Sequence, residues 1–438
     1  MKLHHFHSWL LIILVICIGS YPSMSHAQAV DPHGEALIFW HPHTGEREKA
    51  LNELVARFNA ENEWKITVEA RNLQNPGLLY DQLVLQLTSA PENRTLPNVF
   101  VAAPYETASL ALGGPLLDLS AFIEDGEWGW PDREDFVPSS AELGHDPFTD
   151  AQWGWPERLY AETLYVNMTA LKKLGFTSPP ITLAELSDMA CQFFDQNNTP
   201  AFLLETRAGV WAGLAAGGIF ENDPTPTYTL NTASMTNAVQ TMNDRLGEGC
   251  ITRQTTAFAA QEEFSAGHTL FYFGSTSALP IVREAILANP DTAFDWQIAP
   301  LPGSPIPYLA GPTMSIFSHT PEADLAAWLF VRWWLSPEIN AEWNRITGSL
   351  PIRESSGEMM AADFENFPQW QTAWEIVKQG GQFEPSVAAQ DVVRLEIEFA
   401  IGRILDDPTS LERELKALSA LANEVLGAYA PTTLQASP

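Results

Sequence analysis

Basic residues are scarce in this chain of 438 residues, which carries 23 lysines and arginines against 54 aspartates and glutamates. The formal net charge at pH 7 is therefore −31. A surface of this sign repels nucleic acids and anionic lipid headgroups, and it disfavours a free anionic ligand unless local arginines compensate. The charge argues against these partner classes and carries no information about the fold.

Cysteine is also rare, with three residues in the whole chain. Cys17 falls in an N-terminal apolar run, so Cys191 and Cys250 are the two that remain in the body of the protein. Their spacing fits no zinc ligand set, whereas an oxidising compartment would permit a disulfide between them. The sequence leaves open whether they form this disulfide or remain two buried thiols.

The sequence motifs of common catalytic sites are missing. The chain has no Gly-x-Ser-x-Gly nucleophile motif, no His-Glu-x-x-His zinc motif and no phosphate-binding loop. Acidic residues are plentiful, so composition alone leaves open a carboxylate pair of the glycosidase type. His41 and His43 could meet one metal ion in an extended loop, but no third ligand stands nearby. We therefore predict a protein without catalytic activity, metal or cofactor.

Long apolar runs are confined to the N-terminus. Residues 1–27 have the features of a secretory signal, because Lys2 begins the segment, an apolar core follows, and Ser25-His26-Ala27 forms a small-x-small cleavage site. The apolar core is too short for a stable transmembrane helix. We expect a cleaved signal peptide and a mature chain that starts near Gln28, in the periplasm or outside the cell.

Strand and helix patterns alternate along the chain in two runs. The first run begins with a buried strand at Ala36–Trp40, an amphipathic helix at Arg47–Asn59 and an alternating strand at Lys65–Ala70. A second run opens at Leu164–Asn167, after a segment at 124–155 that is rich in Trp, Pro, Asp and Gly. Such alternation predicts an α/β fold whose largely parallel sheets are covered by helices on both faces.

Without residues 1–27 the mature chain keeps 411 of the 438 residues, which is more than a single hydrophobic core usually contains, so we predict two lobes. The predicted chain crossings lie near residues 140, 295 and 350. Two lobes joined in this way form a hinged clamp with the ligand site in the cleft. The resulting division is a signal peptide at 1–27, lobe one at 28–140 and 295–349, and lobe two at 141–294 and 350–438.

The segment from Ala323 to Arg353 is the most informative part of the sequence. An apolar helix stops at Ser336-Pro337, and a second helix ends at Thr347-Gly348 before an extended Leu350-Pro351-Ile352. This helix pair, with its Thr-Gly-x-Leu-Pro-Ile-Arg ending, resembles the C-terminal signature of extracellular solute-binding proteins. These proteins are the ligand-capturing subunits of ABC importers, here of the type that serves sugars and glycerol-3-phosphate.

Further segments resemble motifs of the same family and follow the family's order. The resemblance implies a two-lobed periplasmic-binding-protein clamp, type II-like, with mixed, mainly parallel sheets and hinge crossings. It also implies a monomer that captures a neutral sugar, oligosaccharide or polyol and delivers it to ABC permease membrane subunits. The segments are Phe39-Trp40-His41, Arg57-Phe58-Asn59, Pro97–Phe100, Gly154-Trp155-Pro156 with Leu164–Asn167, Phe264–Leu270 and Gly311–Ile316.

Candidate ligand-binding residues come from the family resemblance and from residue type. By the resemblance, a Tyr, a Glu, a Trp, a Ser and a Gly fall where family members hold a polyol. Tryptophans at strand ends are candidates because sugars bind to aromatic faces and to fixed hydrogen-bonding groups, although packing in the core is the alternative for each. The candidates are Trp40, Tyr80, Glu106, Trp155, Trp211, Ser275, Gly311, Ser349 and Arg353.

Two alternative functions remain open. Family members that bind glycerol-3-phosphate use an arginine for the phosphate, and by the resemblance its position falls near Ser386, where no basic residue stands. A dianion without a guanidinium would be poorly held, so a neutral ligand is expected. A glycerol-3-phosphate or phosphodiester ligand would need another cation, such as Arg158, Arg283 or Arg353. A secreted glycoside hydrolase is the other alternative.

Overall fold

The computed structural model describes residues 30–430 except 139, 216–217, 223–224, 291–292 and 305. The predicted signal peptide at 1–27 lies outside the described residues. Across the ranges that the structure describes, no helix is both long enough and apolar enough to span a bilayer. The strands are β1 Ala36–His41, β2 Thr67–Asn72, β3 Val99–Ala102, β4 Trp155–Pro156, β5 Tyr160–Asn167, β6 Leu203–Leu204, β7 Phe220–Glu221, β8 Thr227–Tyr228, β9 Thr252–Arg253, β10 Phe271–Ser275, β11 Trp296–Ala299, β12 Tyr308–Ala310, β13 Thr313–Ile316 and β14 Gln382–Phe383.

Helices connect and cover these strands. They are α1 Glu46–Glu61, α2 Pro76–Thr88, α3 Pro104–Ala111, α4 Ser120–Glu124, α5 Met168–Lys173, α6 Leu183–Asn197, α7 Ala208–Leu214, α8 Ala233–Gly247, α9 Ala259–Ser265, α10 Leu279–Leu287, α11 Pro321–Trp334, α12 Pro337–Thr347, α13 Glu354–Met359, α14 Ala361–Asn366, α15 Pro368–Val377, α16 Gln390–Asp406 and α17 Leu411–Tyr429.

The first sheet has the strand order β2-β1-β3-β13-β4. β1 pairs in parallel with β2 and β3, so that Ala36 lies opposite Thr67 and Phe39 lies opposite Val99. β13 returns antiparallel between β3 and β4. All residues of β3 and β13 are buried, because helices cover the sheet on both faces.

The helix faces of lobe one follow from their apolar periodicity. α1 buries Leu51, Leu54, Val55 and Phe58, which is the face that the sequence predicts. Its Phe58 ring packs against Phe330 of α11 at a centroid distance of 5.0 Å. α2 and α3 cover the opposite face of the sheet, where their leucines form a smaller core cluster.

The second sheet is centred on β5 and has the order β10-β5-β12-β14, with β11 also paired to β5. β5 is antiparallel to β10, β11 and β12. Alternate side chains of β5 enter different cores: Leu164 and Val166 join the cluster under α6, α7, α8, α16 and α17, and Tyr165 joins the cluster under α9 and α10. β5 is therefore covered on both faces.

The chain crosses between the two sheets at three places, and two of them differ from the sequence prediction. β4 still belongs to the first sheet, so the first crossing is at 157–159 rather than near 140. β11 and β12 belong to the second sheet, so the return is at Gly311-Pro312 rather than near 295. The third lies at Leu350, whose backbone exchanges hydrogen bonds with Leu159. Local patterns show where a strand lies and leave open which sheet it joins.

A disulfide joins Cys191 of α6 to Cys250, which lies three residues beyond the end of α8. The two cysteines are 59 positions apart in sequence and their Cα atoms are 4.7 Å apart. The sequence left a bridge and two buried thiols open, and the structure has the bridge. It links α6 to the loop that follows α8, and both helices contribute buried residues to the same core cluster.

Candidate ligand-binding cleft

The cleft lies where strand ends of both sheets meet the chain crossings. In lobe one, Ala102 ends β3 opposite Thr313, directly after the crossing at Gly311-Pro312. In lobe two, Ser275 ends β10 opposite Glu162, close to the start of β5. Both strand ends therefore lie within a few residues of a chain crossing. Ligands of α/β proteins bind in such crevices outside strand ends.

The wall of lobe one is formed by the first turn of α3. The carboxylate of Glu106 accepts a hydrogen bond from the backbone N–H of Ala103 at 2.9 Å, which closes the turn. Burial raises the pKa of Glu106 to about 7, and the nearby carboxylates of Asp391 and Glu384 add to the shift. Tyr80 of α2 is half-buried beside this carboxylate, and burial raises its pKa also. Glu106 is thus poised to accept or donate a hydrogen bond near neutral pH.

The wall of lobe two is formed by α16. The guanidinium carbon of Arg394 lies 5.5 Å from the ring centroid of Tyr105 in α3, so this pair spans the two lobes. The Nε atom of Arg394 also lies 3.5 Å from Oδ1 of Asp391. Glu384 lies nearby and accepts a hydrogen bond from Gln390 at 3.3 Å. The charge of Arg394 is therefore surrounded by carboxylates.

A second charged cluster forms the floor of the cleft in lobe two. Arg207 is hydrogen-bonded to Glu162 of β5, and its Nε atom donates to Glu205 at 3.2 Å. Burial raises the pKa of Glu205, although Arg207 opposes this shift. Tyr160 lies between the two charged clusters: burial raises its pKa, and Glu384 and Glu162 add to the shift. Charged groups of both clusters therefore lie close to Tyr160 at the start of β5.

Two buried histidines lie below the cleft at the end of β1. The rings of His41 and His43 stack at a centroid distance of 5.9 Å, and the edge of His43 contacts Trp343. Nε2 of His43 lies 3.7 Å from the fully buried carboxylate of Glu157, which is ion-paired with Arg158. Burial lowers the pKa of His41 to about 4 and that of His43 to about 2. Both imidazoles are therefore neutral at pH 7 and pack beneath the hinge.

Comparison with known proteins identifies the family. Residues 53–375 match the family model described as "bacterial extracellular solute-binding protein". This chain belongs to that family. Such proteins serve ABC importers, and the relatives named below are binding proteins rather than enzymes.

Relatives with named ligands include both sugar and glycerol-phosphate binders. The sn-glycerol-3-phosphate-binding periplasmic protein UgpB of Escherichia coli K12 is 23% identical over 352 residues, which are 77% of each chain. The cyclic alpha-maltosyl-1,6-maltose binding protein of Arthrobacter globiformis has a TM-score of 0.75 at 23% identity and covers 89% of this chain and 98% of its own. The sugar-binding protein MalE of Xanthomonas citri has a TM-score of 0.74 at 19% identity, with coverage of 92% and 100%.

UgpB of Mycobacterium tuberculosis, solved with glycerophosphocholine, has a TM-score of 0.72 at 17% identity and covers 89% of this chain and 98% of its own. At these identities the structural likeness shows the fold. The solute-binding protein therefore has the two-domain architecture of periplasmic binding proteins, as the sequence predicts.

The structure brings some of the predicted site residues of this solute-binding protein to the cleft. Tyr80 and Glu106 lie together in lobe one, and Ser275 lies in lobe two beside Arg207. Gly311 lies at the return crossing, where a Cβ atom would come within 2.2 Å of the Arg158 carbonyl oxygen. The absence of a side chain at Gly311 thus permits close approach of the two crossing segments.

The three predicted tryptophans lie in cores instead. Trp40 packs in the cluster under α2 and α3 and is 7% exposed. Trp155 packs edge-on against Phe136 at 5.0 Å. Trp211 has no exposed surface, and its indole N–H donates to the carbonyl of Glu205. None of the three offers an open ring face to a sugar, because each is buried. The sequence did not separate the two cases, since tryptophans at strand ends and tryptophans in the core have the same local sequence pattern.

Ser349 and Arg353 are also buried away from the cleft. Ser349 is 8% exposed, and its carbonyl accepts a hydrogen bond from Trp370. The Arg353 side chain is 1% exposed and donates to Asp132, to Asp135 and to the carbonyl of Leu335. The protein binds its Nε and Nη1 atoms at a buried site, so Arg353 is a structural cation rather than a ligand contact.

Sequence reasoning missed most of the charged residues of the cleft. One of them carried a signal, because Glu162 places a carboxylate inside the largely apolar segment of strand β5. Buried carboxylates need partners, and Arg207, 45 residues later, supplies one. Nothing local to Arg394 indicates its position over Tyr105 of the other lobe.

Proposed function

We propose that this solute-binding protein captures a neutral sugar, oligosaccharide or polyol between its lobes and delivers it to the membrane subunits of an ABC importer. The observation that carries the proposal is the charge of the cleft. Arg207 is paired with Glu162 and Glu205, and Arg394 lies among Asp391 and other carboxylates. Carboxylates of the protein therefore surround both cations, although the Nε atom of Arg394 makes no hydrogen bond within the described residues.

A phosphate dianion that approached Arg207 or Arg394 would be repelled by the carboxylates of Glu162, Glu205 and Asp391. Ser386, near which family comparison would place a phosphate-binding cation, is buried; it accepts from the N–H of Gly144 and donates to the carbonyl of Glu142. In contrast, the acceptor-rich carboxylates of the cleft suit a ligand with many hydroxyl donors. The chemistry of the cleft therefore favours neutral ligands, although the named relatives include both sugar binders and glycerol-phosphate binders.

We infer export by the segment at 1–27, with cleavage before Gln28, because the family is extracellular and its named relatives are periplasmic. We also infer a monomer that binds without turnover and closes about its hinge when ligand contacts both lobes.

Isothermal titration calorimetry with neutral sugars, glycerol and glycerol-3-phosphate tests the ligand class. We expect a neutral ligand to bind at least about tenfold more tightly than glycerol-3-phosphate, a difference of about 1.4 kcal/mol. Tight glycerol-3-phosphate binding that weakens steeply with added salt would overturn the proposal. Chromatography of the sugars after long incubation tests for turnover, and any cleaved product would show a hydrolase.

Small-angle scattering tests the clamp. With a saturating neutral ligand, the radius of gyration should fall, because only the closed state makes contacts from both lobes. An unchanged radius with demonstrated binding would refute hinge closure.

A further inference from the structure

A cavity of about 500 Å³ adjoins the floor of the cleft in lobe two. It extends from Arg207 and Ser275 to Phe258, which immediately precedes α9. Its volume is within the range of small-molecule sites. The cavity continues the cleft outward from the Glu162–Arg207 pair and was not indicated by the sequence.

Phe258 is unusual in both backbone and side chain. Its φ of 65° and ψ of 0° are in the left-handed region, which is a genuine outlier for a bulky residue other than glycine. Its side chain is 69% exposed, so the ring does not contribute core packing that would offset the strain. Strain of this kind persists mainly at functional sites, and here it holds an aromatic ring in solvent at the rim of a cavity.

Polar groups that suit a sugar line the same cavity. Within the described residues, the side chains of Thr206, Gln261 and Tyr272 make no hydrogen bonds. They offer two hydroxyls and an amide, which can both donate and accept. Arg207 adds a guanidinium whose Nη2 makes no hydrogen bond within the described part of the chain. Unpaired donors and acceptors beside an exposed aromatic ring are the two elements of carbohydrate recognition.

We propose that Phe258 is a stacking platform for an outer sugar ring of an oligosaccharide, whose inner ring lies at the Glu162–Arg207 pair. This inference rests on the proposed function and narrows its ligand class. An acyclic polyol has no ring to stack on Phe258, and a monosaccharide occupies the inner position without reaching it. The platform thus discriminates among neutral ligands by length.

The test compares Phe258→Gly, Phe258→Tyr and the control Ile181→Ala, which removes an apolar side chain that is 75% exposed outside the cavity lining. Calorimetry uses glucose, maltose, maltotriose, raffinose and glycerol as probes. We expect Phe258→Gly to weaken binding of the tightest trisaccharide about five- to tenfold and that of glucose less than about twofold. Phe258→Tyr and Ile181→Ala should keep the affinity of the wild type.

Thermal stability separates a binding role from a structural one. Glycine adopts positive φ without strain, so Phe258→Gly should melt at the same or a higher temperature while it loses trisaccharide affinity. A lower melting temperature with a parallel loss for every ligand would show a structural residue and overturn the inference. Unchanged trisaccharide affinity would overturn it and leave the proposed function intact. No binding of any neutral probe by the wild type would overturn both.

Discussion

Arg353 provides the sharpest test of how the fold is stabilised. Its side chain donates to Asp132 at 2.8 Å, to Asp135 at 3.0 Å and to the Leu335 carbonyl at 2.8 Å. Its guanidinium carbon also lies 3.8 Å from the ring centroid of Phe136. The Arg353→Ala substitution removes all of these contacts at a site that is 1% exposed.

The expected loss of stability follows from what is left behind. Removing one partner of a buried ion pair costs about 3–5 kcal/mol, because the other charge stays in the protein without compensation. Asp132 is 47% exposed and can return to water, whereas Asp135 is 19% exposed and stays covered. We therefore expect about 3 kcal/mol, near the lower end of that range.

Urea denaturation measures this loss as a lower midpoint with an unchanged slope. The matched control is Arg133→Ala, since the Arg133–Glu124 pair is exposed on both sides at a distance of 3.9 Å and should contribute at most about 1 kcal/mol. A loss in Arg353→Ala no larger than that of the control would refute the structural assignment. Loss of ligand binding with full stability would instead make Arg353 a ligand residue.

The dependence of the melting temperature on acid pH tests the role of the Asp135 carboxyl independently. Burial alone would raise the pKa of this carboxyl, but hydrogen bonds from Ser355 and Arg353 hold it below its ordinary value. A lowered folded-state pKa contributes stability above the unfolded-state pKa of about 3.9, and this stability is lost as the pH falls further. Arg353→Ala should therefore show a shallower fall in melting temperature below about pH 4 than the wild type.

Three further predictions concern other parts of the molecule. In the chain-entropy treatment, a bridge spanning 59 positions stabilises by about 4 kcal/mol, so replacing Cys191 and Cys250 with serine should cost about that much. Thiol titration of the unreduced, denatured mature protein should find no free thiol, and two thiols would disprove the bridge. Burial raises the pKa of Glu106 from 4.5 to about 7, so stability should fall as the pH rises through this interval. Glu106→Gln should flatten that part of the melting-temperature profile, and an unaltered profile would show that another group titrates. Gly348 has a φ of 69°, and a Cβ atom there would lie 2.3 Å from Cγ of Pro280. Gly348→Ala should therefore lower the free energy of unfolding by about 1–3 kcal/mol. Gly427→Ala, on an open helix surface, should instead raise the melting temperature. Equal melting temperatures for the two alanine variants would contradict the steric argument.

The amino-acid sequence by itself determined the elements whose signals are local. The apolar face of α1 follows from a period of 3.6, and Thr182 with Glu185 forms the capping box that their spacing predicts. The end of α12 at Gly348, in a left-handed conformation, follows from the Thr-Gly pair. The family, the two-lobed α/β class and the apolar helix α11 were equally accessible, because each depends on short segments or on their order.

Only the tertiary structure decided how distant segments meet. The pairing of β11 and β12 with β5 placed the return crossing at Gly311, and burial placed Trp211 in the core of lobe two. Arg207 meets Glu162 across 45 residues, and Arg394 reaches the ring of Tyr105 in the other lobe. Periodicity determines which face of an element is apolar, but it carries no information about which element covers that face. The cleft is built from such long-range encounters, so its charged partners and the exposed ring of Phe258 became visible only when the chain was folded.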